Sequence, residues 1–407
     1  ILVTFFITLA AQIGTLPLTA LYFNKLSIVA LFVNIFAVGA SNVSLALGFL
    51  QIFTGTFSGF ISSIIGETNY WFLKLQLWFI KYSAQLPFSY VNIYKFSFVA
   101  LLLYFALVVN IFTIKKHNLK FRCALALLVL AAFFINNLDF DKNLKIAFLD
   151  VGQGDCSVIK TPLGKTIVID AGGQNFNYNA GENTLAPYLK RNGVDKIDLL
   201  VYTHLHMDHI GGIKYILENF KVDNVLESGQ NYKSPYCNSI DSIINAKKIP
   251  RSIIRYGDVI KSDEFRLYCL FPGEEFVRAS SDYSNSNLNN GSVVLKFKYQ
   301  DLEILFTGDA EKESERFLTN NYRDFLNCDI LKAGHHGSIT STTIPLALLG
   351  NPKIALISCG LNNVYNHPSD IVLERLKKIG TKVHRTDYDG AMILESDGTR
   401  VKEKEWR

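Results

Sequence analysis

Acidic residues are almost absent from the first third of this 407-residue chain. Up to Leu138 the sequence contains a single acid, Glu67, against eight lysines and arginines, whereas the remainder holds 35 acidic and 33 basic residues. A water-exposed surface of this size needs many charged groups, so the scarcity excludes an ordinary soluble domain before Leu138. The net charge is accordingly +7 on the first part and −2 on the second.

Cysteine and histidine are also scarce, and their spacing excludes several kinds of site. The six cysteines lie far apart and include no C-x-x-C pair, which argues against a zinc ribbon or a disulfide framework. Five thiols in the second part favour a reducing compartment. Only eight histidines occur, and none lies between residues 210 and 334. Because the chain begins with Ile rather than Met, we expect it to be the tail of a longer protein.

Long apolar runs fill the first part and predict a multi-span membrane domain over residues 1–138. The runs lie at 3–23, 26–53, 97–114 and 123–135, and the last is extended by the apolar residues at its edges. The length of each is close to or above the roughly 20 residues that span a bilayer. The basic loop KKHNLKFR at 115–122 is predicted to be cytoplasmic, which sends the residues after 138 to the non-cytoplasmic side of an inner or plasma membrane. The segment 71–88 predicts a helix lying in the membrane interface, with a short span as the alternative.

Short apolar segments bounded by Gly, Asp and Asn follow, and they predict a mixed α/β domain over 139–407. The predicted strands cover 145–151, 156–161, 165–171, 196–203, 292–299, 302–309, 328–334 and 353–360. Helical patterns fall between them at 182–192, 211–219, 311–320 and 369–379. Histidines and aspartates follow several of these strands, where a rigid scaffold can hold converging side chains.

The loop THLHMDHIGG at 203–212 concentrates three of the eight histidines. The neutral imidazoles of His204 and His206 suit one divalent ion, and Asp208 with His209, which point the other way, suit a second. Nitrogen and carboxylate donors together indicate Zn²⁺ or Mn²⁺. Two such ions about 3.5–4 Å apart can activate water at neutral pH and stabilise both the entering and the leaving oxygen.

With this loop and the strand-end residues, the segment 145–407 resembles the metallo-β-lactamase fold family of hydrolases. The resemblance implies a four-layer αββα sandwich, with two sheets between outer helices. It also implies that Asp170, in VIDAGG, orients the metal loop, and that Asp309, in FTGDA, bridges the two ions. One of His335 and His336, in LKAGHHGS, would be a further ligand.

The sequence departs from the family pattern at one ligand. A third histidine for the first ion usually lies between the loop and the bridging aspartate, and this chain offers only Asn289, Asn290 and Ser292 there. We therefore expect the first ion to be held weakly, with Asn290 in a supporting position. Asp155 or Asp282 is the alternative residue for completing that site.

The resemblance narrows when more of the chain is considered. The motifs FLDVGQGDCSVI at 148–159, LKAGHHGS at 331–338 and YNHPS at 365–369, after a multi-span region, resemble the C-terminal part of ComEC-type competence proteins. That family implies an inner-membrane channel for DNA taken up in transformation, with a nuclease that degrades the strand not imported. Its partners would be DNA, membrane lipid, other competence proteins and further copies in a homo-oligomer.

Asp208, Asp155 and His367 are the candidate catalytic residues. Asp155, on the tight turn GQGD, can hydrogen-bond a ligand histidine or only cap the turn. His367, before a predicted helix start, can hold a phosphate oxygen or protonate a leaving alkoxide. Two other functions stay open: a transport channel with a structural metal domain, and a membrane-anchored hydrolase of another phosphoester. The −2 charge provides no broad basic surface, so contacts with DNA would be local.

Overall fold

A computed structural model describes residues 2–23, 25–86, 88–93, 98–113, 119–137, 143–232, 234–280 and 288–404. The chain divides into two compact units, Ile1–Leu138 with Arg191–Gly193, and Asp139–Lys190 with Val194–Arg407. Half of the basic loop at 115–122 and the alternative ligand Asp282 lie outside the described residues.

Helices dominate the described part of the first unit. Its elements are α1 (Leu2–Phe23), β1 (Lys25–Ser27), α2 (Ala30–Gly55), α3 (Gly59–Ala84), β2 (Tyr90–Asn92), α4 (Phe98–Thr113) and α5 (Leu119–Asn137), and β1 pairs antiparallel with β2. Two described stretches are long and apolar enough to cross a membrane, Phe5–Phe23 in α1 and Ala30–Gly55, which is α2. Shorter apolar stretches occupy Phe98–Asn110 in α4 and Cys123–Ala132 in α5.

The first fourteen residues of the segment 71–88 are helical, as expected, and form the second half of α3, which packs against α2. Their position in the membrane interface stays a prediction. The buried side chain of Gln76 joins the two helices, because its amide nitrogen donates to the carbonyl of Ala37 at 3.1 Å and to Ser41 Oγ at 2.8 Å. Hydrogen bonds between apolar helices stabilise such pairs.

Two large β-sheets form the centre of the second unit. Its strands are β3 (Leu144–Phe148), β4 (Ser157–Lys160), β5 (Thr166–Ile169), β6 (Lys196–Ile197), β7 (Leu199–Tyr202), β8 (Lys221–Val222), β9 (Val225–Glu227), β10 (Arg251–Ile253), β11 (Val259–Lys261), β12 (Arg266–Phe271), β13 (Val294–Tyr299), β14 (Leu302–Phe306), β15 (Ile330–Lys332), β16 (Ile354–Ile357), β17 (Lys382–Arg385), β18 (Met392–Ser396) and β19 (Val401–Lys404). The first sheet has the order β10-β9-β7-β5-β4-β3-β18-β19, the second has the order β11-β12-β13-β14-β15-β16-β17, and β6 pairs with β8.

Helices cover the outer faces of both sheets. They are α6 (Ala186–Arg191), α7 (Met207–Ile210), α8 (Ile213–Asn219), α9 (Pro235–Ala246), α10 (Glu274–Ser280), α11 (Lys312–Tyr322), α12 (Ile344–Gly350), α13 (Asp370–Lys378) and α14 (Thr386–Asp389). One buried apolar cluster lies between the sheets, a second joins the first sheet to α6, α8 and α9, and a third joins the second sheet to α11, α12 and α13. The predicted four-layer αββα sandwich is therefore confirmed.

The parallel strands of both sheets determine where the chemically active residues lie. In the first sheet β5 and β7 are parallel neighbours, and in the second sheet β14, β15 and β16 are parallel. In the first sheet, Asp170 follows β5 and His204 follows β7. In the second sheet, Asp309 follows β14, and His335 and His336 follow β15. Because parallel strands end at the same edge of a sheet, each sheet carries its residues at one edge, and the two edges meet where His204 Nε2 lies 3.8 Å from Asp309 Oδ2.

Candidate metal centre

Asp170 and His209 form the inner layer of the site. The buried carboxylate of Asp170 accepts from the backbone nitrogen and the hydroxyl of Thr203, both at 2.8 Å, and lies 2.8 Å from His209 Nδ1. Since a carboxylate can only accept, Nδ1 of His209 carries the proton and Nε2 faces the other way. Asp170 thus orients the imidazole from behind, in the position that the sequence predicted for it.

The opposite nitrogen of His209 faces Asp309. Nε2 of His209 lies 3.2 Å from Asp309 Oδ1, yet neither buried atom has a hydrogen-bond partner among the described residues. Burial alone would lower the pKa of His209, but the carboxylates of Asp309 and Asp170 outweigh it and raise the pKa well above its usual value. In a metal-free chain protons would compensate the crowded carboxylates at this point, and a metal ion would displace them.

His336, rather than His335, completes this group. Its Nδ1 lies 3.0 Å from the carbonyl oxygen of Ser358, so Nε2 faces Asp208 Oδ2 at 3.1 Å and Asp309 Oδ2 at 3.6 Å. Despite burial, Asp309 and then Asp155 raise the pKa of His336 to about 10. The two Nε2 atoms and the carboxylates they face are the donor types of a Zn²⁺ or Mn²⁺ site, so these residues fit the second ion.

His335 has a different environment. Its Nδ1 lies 3.0 Å from Glu311 Oε1, its Nε2 is 3.9 Å from Asp309 Oδ2, and its side chain is 24% exposed. Both histidines have left-handed backbone conformations, with φ of 46° for His335 and 53° for His336, which are uncommon for residues that carry a side chain. This turn directs one imidazole into the centre and the other toward the cleft.

His204 and His206 form a second group, which we call the histidine pair. Nε2 of His204 lies 3.0 Å from Nδ1 of His206 and 3.8 Å from Asp309 Oδ2. Burial lowers the pKa of both imidazoles, most strongly for His204. Two neutral nitrogens directed at one place, beside a carboxylate shared with the second group, fit the first ion.

Asn289, not Asn290, lies beside the histidine pair. Asn289 and His206 line the same cleft, and the amide nitrogen of Asn289 is 3.4 Å from His335 Nε2. The side chain of Asn290 points away: its oxygen accepts from Ser314 Oγ at 2.8 Å, and its nitrogen donates to Glu313 Oε2 at 3.3 Å. The structure therefore does not bring the Asn290 amide to the histidine pair, where we expected it in a supporting position; its oxygen also accepts from the backbone nitrogen of Glu311 at 3.3 Å.

Asp155 contacts the Nδ1 side of the His336 imidazole, opposite the Nε2 atom that faces Asp208 and Asp309. Its Oδ1 lies 3.3 Å from His336 Nδ1, and its Oδ2 lies 2.6 Å from Nζ of the buried Lys332. Burial would raise the pKa of Asp155, but Lys332 and His336 outweigh it and lower the pKa to about 2. Gly154 permits this arrangement, since a Cβ there would lie 2.2 Å from the carbonyl oxygen of Asp208. Lys332 was not foreseen, because it looks like an ordinary residue of a strand.

A cleft of about 800 Å³ opens in front of these groups. Its lining includes Asp208, Asn289, His335 and His367. The imidazole of His367 lies 5.6 Å from that of His335, between ring centroids. Burial, together with His335 and His336, lowers the pKa of His367 to about 4. His367 is thus neutral at pH 7, which suits accepting a proton or a hydrogen bond better than protonating a leaving alkoxide, one of the two roles that we expected for it.

Comparisons with known proteins cover both units. Residues 149–361 match the family model described as metallo-beta-lactamase superfamily, and residues 1–118 match the model described as competence protein. The chain is 26% identical to ComE operon protein 3 of Bacillus subtilis, over 95% of this chain and 51% of that protein. It is 28% identical to Recombination protein 2 of Haemophilus influenzae, over 70% of this chain and 34% of that protein. Competence protein ComA of Neisseria gonorrhoeae is also 28% identical, over 60% of this chain and 31% of that protein. The chain thus spans about half, or less, of the length of these relatives.

Proposed function

This chain belongs to the metallo-β-lactamase superfamily, and on that premise we propose that it is part of an inner-membrane DNA-uptake channel with a metal-dependent phosphodiesterase as its second unit. The enzyme would degrade the DNA strand that is not imported. The buried imidazole and carboxylate atoms without partners, at His209 Nε2 and Asp309 Oδ1, carry the enzymatic half of this proposal. The competence-protein match over residues 1–118 supports the DNA-uptake half.

The side chains around the cleft suit hydrolysis of a phosphodiester. Two divalent ions, Mn²⁺ or Zn²⁺, would supply a nucleophilic hydroxide at neutral pH and neutralise charge on the phosphate oxygens. The histidine pair would hold one ion and the imidazoles of His209 and His336, with Asp208, the other, while Asp309 faces both groups. The Asn289 amide can donate to a non-bridging phosphate oxygen, and neutral His367 can position a water or accept its proton.

We also propose that the second unit lies on the non-cytoplasmic side of the membrane. The basic loop at 115–122 supports this topology through the positive-inside rule. The number of cysteines in this unit favours a reducing compartment, but all five are buried in the structure. Buried thiols react poorly, so an oxidising environment does not conflict with them. A reporter fused after Arg407 tests the topology, and a cytoplasmic signal would contradict it.

The activity is tested with the full chain in lipid nanodiscs, stripped of metal and then supplied with Mn²⁺, Zn²⁺ or Mg²⁺. Labelled single-stranded and duplex DNA should be cleaved only after metal is added. Asp208→Asn should reduce cleavage by about 100-fold or more, because it weakens a carboxylate ligand without changing the side-chain shape.

Asp301→Asn is the matched control. Asp301 is exposed at the turn between β13 and β14, at the opposite end of β14 from Asp309, and its loss should leave cleavage unchanged. Metal-dependent hydrolysis of another phosphoester without cleavage of DNA would reject the nuclease proposal. Metal binding without any hydrolysis would favour a channel with a structural metal domain.

A further inference from the structure

The described part of the cleft lining is without the lysines and arginines that usually bind a nucleic-acid backbone. Among the described residues that line it are two carboxylates, Asp208 and Asp309, and four imidazoles, but no Lys or Arg. The buried ammonium of Lys332 is engaged by Asp155 behind His336 and is not among these lining residues. Because phosphate contacts by Lys and Arg dominate ordinary DNA affinity, this cleft must obtain its affinity from other groups.

Two exposed aromatic side chains accompany the cleft. Tyr365 is 64% exposed, lines the cleft, and stacks on the His367 ring with 5.9 Å between centroids and 21° between planes. Phe176 is fully exposed at the tip of the turn 174–179, whose residues Gln174, Asn175 and Tyr178 line the cleft.

The turn that carries Phe176 is held in place. The side-chain oxygen of Asn175 accepts from the backbone nitrogens of Asn177, at 3.0 Å, and Tyr178, at 2.9 Å. The side-chain nitrogen of Asn179 donates to Gln174 Oε1 at 3.0 Å, which closes the base of the turn. A bare phenyl ring on a braced turn is thus presented to solvent at the cleft edge.

We propose that Phe176 and Tyr365 are stacking platforms for unpaired nucleobases, so that the site selects single strands and binds them through bases more than through phosphates. This inference rests on the proposed nuclease function and specifies its substrate. Every base offers a π-face, whereas a duplex buries those faces inside its own stack, so stacking on protein aromatics favours single strands without reading sequence. One stacked base typically changes affinity by about five- to a hundredfold.

Binding without turnover tests the proposal. Fluorescence anisotropy would measure binding of labelled oligothymidylate to the full chain in nanodiscs, with a chelator present to prevent cleavage. An abasic oligomer of the same length keeps every phosphate and removes every base. Oligothymidylate should bind at least about tenfold more tightly than the abasic oligomer, and its affinity should fall only slightly between low and moderate salt.

Variants then locate the effect. Phe176→Ala and Tyr365→Ala should each weaken oligothymidylate binding by about fivefold or more and leave abasic binding unchanged, while Tyr365→Phe should retain the affinity. Leu163→Ala is the control: this side chain is 73% exposed at the turn between β4 and β5, at the opposite end of β5 from Asp170.

Equal affinity for both oligomers, or a steep salt dependence, would overturn the stacking proposal even if DNA is cleaved. Base-dependent binding without metal-dependent cleavage would support it and reject the nuclease function instead. If Phe176→Ala lowers binding to lipid vesicles and leaves oligothymidylate binding intact, the exposed ring serves the membrane and the proposal is wrong for Phe176.

Discussion

Replacing Lys332 with Met should destabilise the second unit by about 3 kcal/mol at neutral pH. The ammonium lies 2.6 Å from Asp155 Oδ2, and the two side chains are only 3% and 5% exposed. Lowering the pKa of Asp155 from 3.8 to about 2 corresponds to roughly 2.4 kcal/mol of net stabilisation of the charged form. Without Lys332 the burial of the carboxylate is no longer compensated, and breaking such a buried pair typically costs about 3–5 kcal/mol.

The effect has a definite pH dependence. A carboxylate whose pKa is lowered by folding adds stability above its unfolded pKa, near 4, and loses that contribution as the pH falls toward the folded value, near 2. In the Met variant Asp155 can relieve its unpaired charge by taking up a proton. The destabilisation should therefore be largest at neutral pH and become smaller as the pH is lowered toward 4.

Pulse proteolysis in urea measures the unfolding free energy of the second unit in the metal-free full chain. Asp155→Asn and the double variant complete a double-mutant cycle, with an expected coupling energy of about 1 kcal/mol or more. Lys353→Met is the matched control, since that lysine is 81% exposed and pairs with Asp329 at 2.7 Å; its loss should cost under about 1 kcal/mol. Equal losses of unfolding free energy for the two lysine variants, or no pH dependence for Lys332→Met, would show that the buried ion pair does not stabilise the unit.

Three further variants and titrations test the metal centre. His209→Ala should abolish metal-dependent cleavage and, because the buried carboxylate of Asp170 then keeps only its two bonds from Thr203 and loses the imidazole, lower stability by about 1–3 kcal/mol in the same proteolysis assay; retained cleavage would contradict its role. Calorimetric titration of the metal-free chain with Mn²⁺ or Zn²⁺ should show two unequal binding steps, and two equal steps would refute a weak first site. The affinity of the tighter site for the metal should increase as the pH rises toward about 10, because the metal displaces protons held by imidazoles such as His336. An affinity that does not change with pH would contradict this. Asn289→His should tighten the weaker step, whereas Asn290→His should not, and the reverse result would show that the wrong amide has been assigned.

The resemblance to ComEC-type competence proteins, drawn from short motifs, is confirmed by the family matches. The strand ends were predictable because runs of β-branched residues end at Gly and Asp. Asp170 accordingly follows β5 directly, and Asp309 lies shortly after the end of β14. Between the predicted strands, β8 to β12 were missed. The first four of them are only two or three residues long, too short for a sequence pattern to show.

Other features depend on side-chain direction, which a single sequence does not contain. His335 and His336 are equivalent as letters, and only the left-handed turn shows that the second imidazole faces Asp309. Asn289 and Asn290 differ in the same way within a short helical turn. Lys332 becomes significant only when the fold brings Asp155, 177 residues earlier in the chain, against its ammonium.

Whether hydrolysis depends on the bound ions is decided by following cleavage and bound metal in the same sample. The full chain in nanodiscs would be loaded with increasing Mn²⁺, the ions per chain counted by atomic emission, and the cleavage rate of a labelled single-stranded oligonucleotide recorded at each loading. We expect no cleavage in the metal-free chain, a rate that rises as the weaker site fills, and loss of that rate in Asp208→Asn but not in Asp301→Asn. A cleavage rate that does not depend on bound metal, or that survives in Asp208→Asn at full loading, would contradict this expectation.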